Sequence, residues 1–527
     1  METGKTYDAV IVGAGHNGLA CAIHLARRGW SVGVFEAKPE AGGAVKTREL
    51  TLPGFRHDIA AMNLSMFAGS PFLREYGEAL GRHGLAFVPA EHCFSSVFPD
   101  GTFFGVSNTL DTTLSRLNAL SPKDAESWAR LLGQFGGDAP HIFGLLGNVM
   151  PSWAAAKVVW SAWRQKGTGW TLDMMRFLLS SPREWLDANF ANPKVKATLA
   201  AWGMHLDFAP DIAGGALFPY LESMANQSFG MVIGKGGADT MIKAMTGYLM
   251  ELGGELHLGT PVTEIRSGNG KASGIVLGDG TEVPARKAVI ANVTPAVLFG
   301  GLLPGGSGKA DVDKKFKAFR AGPGTMMVHL ALDRPLDWNA GEELQRFAYV
   351  HIAPSFEYMT AAYTQAMGGH LPASPVLVVG QPTAIDSTRA PDGKHILWVQ
   401  VRVLPKHVTG DAAGQIKGTD WSGIKDAYAD RVIGIIEQYA PGLQDRILGR
   451  AVYSPDDLEA ENPCLIGGDN LSGSHHLNQN FLFRPVAGYS RYKMPVENLF
   501  MCGAATWPGA GTGAGSGYLL GKMLGGK

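Results

Sequence analysis

Cysteine is scarce in this chain, with four in 527 residues. Cys21, Cys93, Cys464 and Cys502 are scattered, and no C-x-x-C pair occurs. That spacing argues against a disulfide reductase and against a cysteine-based metal site. Net charge is −1, with no block of one sign. Nucleic-acid binding and bulk electrostatic attraction to membranes are therefore not expected. No uninterrupted apolar run reaches the roughly 18 residues of a membrane-spanning helix. There is no internal repeat, no low-complexity linker and no room before Tyr7 for a signal peptide, which places the chain in the cytoplasm as an expectation. What the chain has in quantity is glycine, 70 residues, and 45% hydrophobic content. Its length suits a large core and more than one domain.

The glycines are ordered at the N-terminus. Tyr7-Asp8-Ala9-Val10-Ile11-Val12 is an apolar run that ends in Gly13-Ala14-Gly15-His16-Asn17-Gly18. A helix-like segment follows, then Val32-Gly33-Val34-Phe35 and Glu36, which lies 18 residues after Gly18. Strand, glycines, helix, strand and acid fall in the register of a dinucleotide-binding β-α-β unit. Gly13 permits the tight turn, Gly15 lets the backbone approach a pyrophosphate, and Gly18 lets helix and strand pack closely. The free N–H groups of the helix start, at His16 and Asn17, suit phosphate. Glu36 is expected on the ribose hydroxyls. No second G-x-G-x-x-G is present, so a separate NADPH domain is not expected.

The segment Glu36-Ala37-Lys38-Pro39-Glu40-Ala41-Gly42-Gly43-Ala44-Val45-Lys46-Thr47 resembles the E-x-x-x-x-x-G-G-x-x-x-T stretch of FAD-dependent oxidoreductases, the superfamily of amine oxidases and phytoene (carotenoid) desaturases. Gly234-Lys235-Gly236-Gly237 and the closing Leu499 to Gly517 stretch, with Gly503, Trp507-Pro508-Gly509 and Gly513, are similar to the same family. Tyr439-Ala440-Pro441-Gly442, Ser454 to Glu459 and Phe483-Arg484-Pro485 resemble its desaturase-like subgroup, which includes pyridine-nucleotide-disulfide-oxidoreductase-domain protein 2. The resemblance implies FAD as cofactor. It assigns Ala37, Gly42, Gly43, Ala44, Gly503, Ala504, Gly513 and Ala514 to the flavin nucleotide, and Val262 to the adenine. Two departures matter. The amine-oxidase motif usually carries an acid after its closing Gly, where this chain has Ala504. The desaturase-like pattern often has His before Pro-Gly, where this chain has Trp507.

The expected fold is α/β. A Rossmann-like FAD-binding domain is assembled from 1–70, 228–298 and 480–527. A substrate domain of mixed sheet plus helices spans 71–227 and 299–479, with a helical lid over about 115–225. Ser121-Pro122-Lys123-Asp124 predicts a helix start, running to about Phe135. Asp279-Gly280 predicts a hairpin. Segments 325–332, 348–352, 375–379 and 394–403 read as strands of one sheet. The Trp-, Leu- and Met-rich stretch from 142 to 163 reads as core helix in preference to a surface helix dipping into a bilayer.

Catalytic groups are harder to place. His57 and Asp58 follow the first flavin segment, either as a base pair or as loop glue. His205, Asp207 and Tyr220 are placed in a pocket strand, and Trp507 at the flavin face. His475 and His476 lack a ligand set, so no metal is expected. The reading is an oxidoreductase that takes a hydride from a lipophilic, isoprenoid substrate, a carotenoid or a shorter terpene, giving a double bond or, after water capture, an alcohol. An elongated apolar pocket leading to the flavin is expected. Electrons pass to oxygen, a quinone or a protein carrier. Alternatives are a flavin amine oxidase and a flavin-binding partner protein without its own chemistry. A peripheral membrane contact and a homo- or hetero-oligomer stay open.

Overall fold

The computed structural model describes residues 4–526. Its first sheet is built around Tyr7–Val12, a strand of buried apolar side chains that pairs parallel with Val32–Phe35 on one side and Glu282–Ala291 on the other. Burial on both faces explains why the run does not alternate. Glu255–His257 extends the sheet beyond Val32–Phe35, and Leu499–Met501 pairs parallel with the end of Glu282–Ala291. Val262–Gly268 and Lys271–Leu277 continue it antiparallel. The Asp279-Gly280 turn joins Lys271–Leu277 to Glu282–Ala291, with Gly280 at φ +88°. Three distant parts of the chain thus meet in one sheet. Helix His16–Arg27 covers it and packs against the last helix, Gly515–Gly525. The contact is so close that a Cβ on Gly517 would lie 1.7 Å from the Asn17 carbonyl.

The second sheet has seven strands in the order Ile447–Tyr453, Gly324–Leu332, His395–Leu404, Val376–Gly380, Phe347–Ile352, His92–Val97 and Phe103–Ser107. The Phe347–Ile352/His92–Val97 pair is parallel and the others are antiparallel, so the sheet is mixed. Strict alternation gives its central strands two unlike faces. Val328, Leu330, Val350, Leu397, Val399 and Val401 pack under helix Trp421–Tyr439 in one dry core. Tyr349 and Trp398 belong to a different core, formed with helices from the 110–229 region. His351, Gln400 and Arg402 alternate onto that same face.

Four of the helices in 110–229 start on a side-chain cap. Ser121, Ser152, Ser181 and Asn192 each accept a bond from the first turn, and Pro follows directly at 122, 182 and 193. The helix begun at Pro122 continues to Leu146 instead of ending near Phe135. Phe135, Asp138 and Ala139 are buried, and that packing carries it past Gly136, Gly137 and Pro140. Helix Trp153–Leu179 corrects the core-helix expectation. Only Ala155 and Ala162 of its residues are buried, and Trp153 is 87% exposed. Strands His92–Val97, Phe103–Ser107 and Ile447–Tyr453 were not anticipated from sequence.

Candidate functional site: a dinucleotide cradle beside a polar sheet face

Gly13 leaves the first strand at φ +95° and opens the turn. Gly15 caps helix His16–Arg27 with no side chain on the first-turn amides. Gly18 needs its hydrogen, because a Cβ there would lie 2.4 Å from the Gly13 carbonyl. Gly42 donates its N–H to the Ala14 carbonyl at 3.0 Å and holds φ +130°. Gly43 follows at φ +62°, with Ala44 next in the same turn. Glu36 accepts from Ala14 N–H at 2.8 Å and from Lys38 N–H at 3.0 Å, so its carboxylate is fixed across the exposed Ala37. A carboxylate keeps further lone pairs for hydroxyl donors.

The closing segment lies against this turn. Gly503 holds φ +114° and donates to Ser516 Oγ at 3.0 Å. Gly513 leads into Ala514, which takes a left-handed φ of +57° and caps helix Gly515–Gly525. Asn17 Oδ1 accepts from Gly517 N–H at 3.2 Å. His16 Nε2 lies 3.2 Å from the Gly511 carbonyl. His16 is reachable by water yet enclosed by protein, and burial pushes its pKa down to about 4. A neutral imidazole therefore stands between the two glycine-rich segments. The Ala504 carbonyl accepts from Arg484 Nε at 3.0 Å and Nη2 at 2.7 Å. Arg484, fully buried, also holds the Ser474 carbonyl at 2.9 Å. Burial lowers its pKa to about 10, which leaves it cationic at neutral pH.

Three residues of the cradle escaped sequence reasoning. Asn292 follows strand Glu282–Ala291 and donates to the Gly13 carbonyl at 3.2 Å. Its side chain also lies within 3.1 Å of where Cβ atoms on Gly15, Gly18 and Gly503 would sit. The signal was available: the residue after a strand parallel to Tyr7–Val12 must end beside the same turn. Asn462 and Cys464 come from the second-sheet half of the chain. Asn462 Nδ2 is 3.7 Å from a Cβ position on Gly43. Cys464 is enclosed near Glu36, and burial raises its thiol to about 11. Val262 opens its strand just after Thr260, whose N–H donates to the Glu36 carbonyl at 2.8 Å.

His57 and Asp58 lie on strand Arg56–Asp58, and both are buried. Asp58 accepts from Thr47 Oγ1 at 2.6 Å, Ala238 N–H at 2.8 Å and Arg389 Nη1 at 2.5 Å. Arg389 in turn donates to the Gly234 carbonyl at 2.8 Å. The carboxylate thus ties the first flavin segment to the Lys-Gly-Gly loop and to the second sheet. His57 contacts Thr51 Oγ1 at 2.9 Å, and burial, then the nearby Arg389 charge, lower its pKa to about 3.

His205, Asp207 and Tyr220 are not in a strand. His205 caps helix Pro193–Met204, Asp207 is in the following turn at φ +71°, and Tyr220 is in helix Leu217–Phe229. His205 Nε2 is 3.0 Å from His351 Nε2 on the polar sheet face. Burial, with Arg402 and His351 beside it, holds His205 well below the usual imidazole range. Tyr220 OH reaches Asp138 at 3.4 Å within an aromatic group of Phe135, Phe177 and Trp185. Trp507 is buried, donates Nε1–H to the Asn148 carbonyl at 2.9 Å and packs on Phe481. His475 Nε2 accepts from Ala510 N–H at 3.1 Å. Among the described residues no group of three His, Cys, Asp or Glu side chains is placed to hold a metal.

Glu222, missed from sequence, is the unpaired acid of this region. It is reachable by water yet enclosed, makes no side-chain hydrogen bond among the described residues, and burial raises its pKa to about 7. Its charge acts on Tyr349, which stacks on Trp398 with centroids 5.7 Å apart. The Asn63 backbone lies close to the Tyr349 hydroxyl, and the Asn63 carbonyl accepts from Thr512 Oγ1 at 3.3 Å. This path links the polar sheet face to the closing glycine loop. Only the spacing of helix Leu217–Phe229 against a sheet not yet located could have indicated it.

A two-sheet α/β architecture with a single G-x-G-x-x-G turn closed by a C-terminal glycine loop is that of a flavin-dependent oxidoreductase. The family model described as flavin containing amine oxidoreductase matches residues 18–514, and the chain belongs to that family. It is 28% identical to mouse (Mus musculus) pyridine nucleotide-disulfide oxidoreductase domain-containing protein 2, covering 96% of this chain and 91% of that one. It is 26% identical to a neurosporene-forming phytoene desaturase of Rhodobacter capsulatus, covering 98% and 93%. A limonene dehydrogenase subunit of Castellaniella defragrans is 24% identical over 99% and 95%. Putrescine oxidase bound to putrescine shares the fold at TM-score 0.60 and 14% identity, over 99% of this chain and 98% of that one. The cofactor is FAD. Gly15 and Gly43 pack backbone to backbone, a Cβ on Gly43 lying 3.3 Å from the Gly15 Cα, and Gly15 leaves the first-turn amides of helix His16–Arg27 without a side-chain cap, which fits a pyrophosphate.

Proposed function

We propose that this oxidoreductase is a dehydrogenase or desaturase of a lipophilic substrate, an isoprenoid such as a carotenoid or a shorter terpene. The product has a new double bond or, after water capture, a hydroxyl. Bound FAD supplies the two-electron acceptor. Gly13, Gly15, His16, Asn17, Gly18, Glu36, Ala37, Gly42, Gly43, Ala44, Val262, Gly503, Ala504, Gly513 and Ala514 would hold it, with Asn292 fixing the turn. The FAD domain is taken as 1–70, 228–298 and 480–527. The carrying observation is the makeup of the sheet face next to the closing loop. Tyr349, Trp398, Met62, Trp202 and Met224 form the apolar, aromatic part of that face, beside the buried His351, Gln400 and Arg402. The imidazoles in reach, His205 and His351, are held neutral by burial. An apolar ligand gains about 0.8 kcal/mol per methylene removed from water and needs few polar anchors. The desaturase and limonene dehydrogenase relatives support the substrate class.

One observation favours a second reading. Glu222 beside the Tyr349–Trp398 stack is a carboxylate near aromatic walls, which is how an ammonium is held. The test is anaerobic. Holoenzyme is mixed with terpenes and carotenoids in one series and with primary and secondary amines in another, and flavin bleaching is followed. Bleaching by isoprenoids alone supports the first reading, and bleaching by amines alone replaces it with the amine oxidase. The oxidant that then restores the yellow colour, oxygen, a quinone or a protein carrier, identifies the acceptor. Failure of both series points to a flavin-binding component that needs a partner, for which the limonene dehydrogenase relative, itself named as one subunit, is the precedent.

A further inference from the structure

We propose that the outer face of helix Trp153–Leu179 is a docking surface for an anionic lipid bilayer. The helix is inverted with respect to an ordinary surface helix. Its buried line is made of the small residues Ala155 and Ala162. About half a turn around from that line stand Trp153 and Trp160, 87% and 59% exposed. Gly167, at φ +85°, breaks the helix into two halves. Past the break Leu172, Met175 and Leu179 recur at helical spacing, each more than half exposed. Folding of the chain on itself thus covers the small side chains and leaves the largest apolar ones in water.

The charges choose the occupant. Lys157 and Arg164 flank the Trp153–Trp160 line on the helix, and Arg176 flanks the second stripe. These three make no ion pair among the described residues, whereas Lys166 turns inward to Asp138 at 3.5 Å. Asp173 is the single acid between Trp153 and Leu179. A second copy of the chain would oppose this face to itself, cation against cation, in the usual two-fold dimer. An anionic headgroup layer offers the complementary sign, with an interface where indole rings settle. No helix among the described residues is long and apolar enough to cross a membrane, so the helix lies in the plane of the surface.

The inference concerns the surface and stands apart from the substrate reading. Purified holoenzyme is floated with phosphatidylcholine vesicles and with vesicles that also contain phosphatidylglycerol. Expected is flotation with the mixed vesicles, at least about tenfold weaker with phosphatidylcholine alone and weakened by salt. Trp153→Ser/Trp160→Ser should remain at the bottom of the gradient with its FAD content and sedimentation coefficient unchanged. Lys157→Gln/Arg164→Gln should lose the preference for the anionic vesicles. Met250→Ser, an exposed apolar residue elsewhere, should float like the native protein. Absence of flotation with either vesicle overturns the proposal. So does equal flotation of native and Trp-to-Ser proteins. So does a native dimer that the Trp-to-Ser change splits while vesicles bind neither.

Discussion

At the scale of single residues, the cradle depends on what is missing at Cβ. Gly15→Val would drive a branched side chain onto Asn292 Nδ2, 3.1 Å from its Cβ, and distort the turn that is proposed to hold the pyrophosphate. The variant is expected to purify colourless with its far-UV circular dichroism retained. A stoichiometric yellow protein would refute the placement. Glu222 gives a second residue-scale prediction. Burial raises its pKa from 4.5 to about 7, so the fold resists its ionisation. Stability from the protonated acid is complete below about pH 4.5 and is lost as the pH climbs to about 7. Relative to Glu222→Gln, the native protein should lose melting temperature across that window and run parallel to it above. Parallel curves throughout would show that Glu222 is ordinary and solvated. Gly13, Gly15, Gly18 and Glu36 were legible in sequence because each serves a local backbone or spacing demand. Glu222 was not, since a carboxylate is identified as unpaired only when every neighbour is known.

At the scale of elements, the strands and helices with strong local signals appear where the sequence puts them. Tyr7–Val12, Val32–Phe35, Gly324–Leu332 and His395–Leu404 are examples. The misses share a cause. His205 closes a helix whose cap is Asn192, and Tyr220 lies in a helix that starts after Ala216 with no side-chain cap, so neither helix is marked beside the residue in question. The helix begun at Pro122 outran its glycines because tertiary packing repaid the cost of Gly136, Gly137 and Pro140. Helix docking yields a third prediction. Gly517→Ala introduces a Cβ onto the Asn17 carbonyl and should push helix Gly515–Gly525 off helix His16–Arg27, costing about 3 kcal/mol. Urea unfolding of the FAD-bound protein measures it. Gly525→Ala, with 3.2 Å to the flexible Arg28 side chain, is the control and should cost far less.

At the scale of the whole molecule, the Asp58–Arg389 pair pins the cradle side to the second sheet, fully buried on both partners. Arg389→Met would strand the carboxylate in a dry site and should cost about 3–5 kcal/mol. Asp58→Asn/Arg389→Met should recover a large part of that, because no charge is left behind. A double variant as unstable as the single one would mean that packing, not charge, holds the joint. One dinucleotide fingerprint and no dithiol also predict a global property. Stopped-flow mixing with NADH or NADPH should leave the flavin oxidised on the time scale of seconds. Rapid bleaching by either would require a second nucleotide site.

The sequence by itself determined the cofactor class, the first β-α-β unit, the closing glycine loop and the α/β character. These depend on short-range steric and spacing rules that read directly from residue order. Tertiary structure alone decided which face of the second sheet carries Tyr349, His351, Trp398 and Arg402, and that Asn292, Asn462 and Cys464 join the cradle. It also decided that helix Trp153–Leu179 turns its tryptophans outward. Each of those outcomes depends on which element packs against which. A hydrophobic stretch has the same composition whether its large side chains face a core or the solvent, and only the partner laid against its alanines settles the matter.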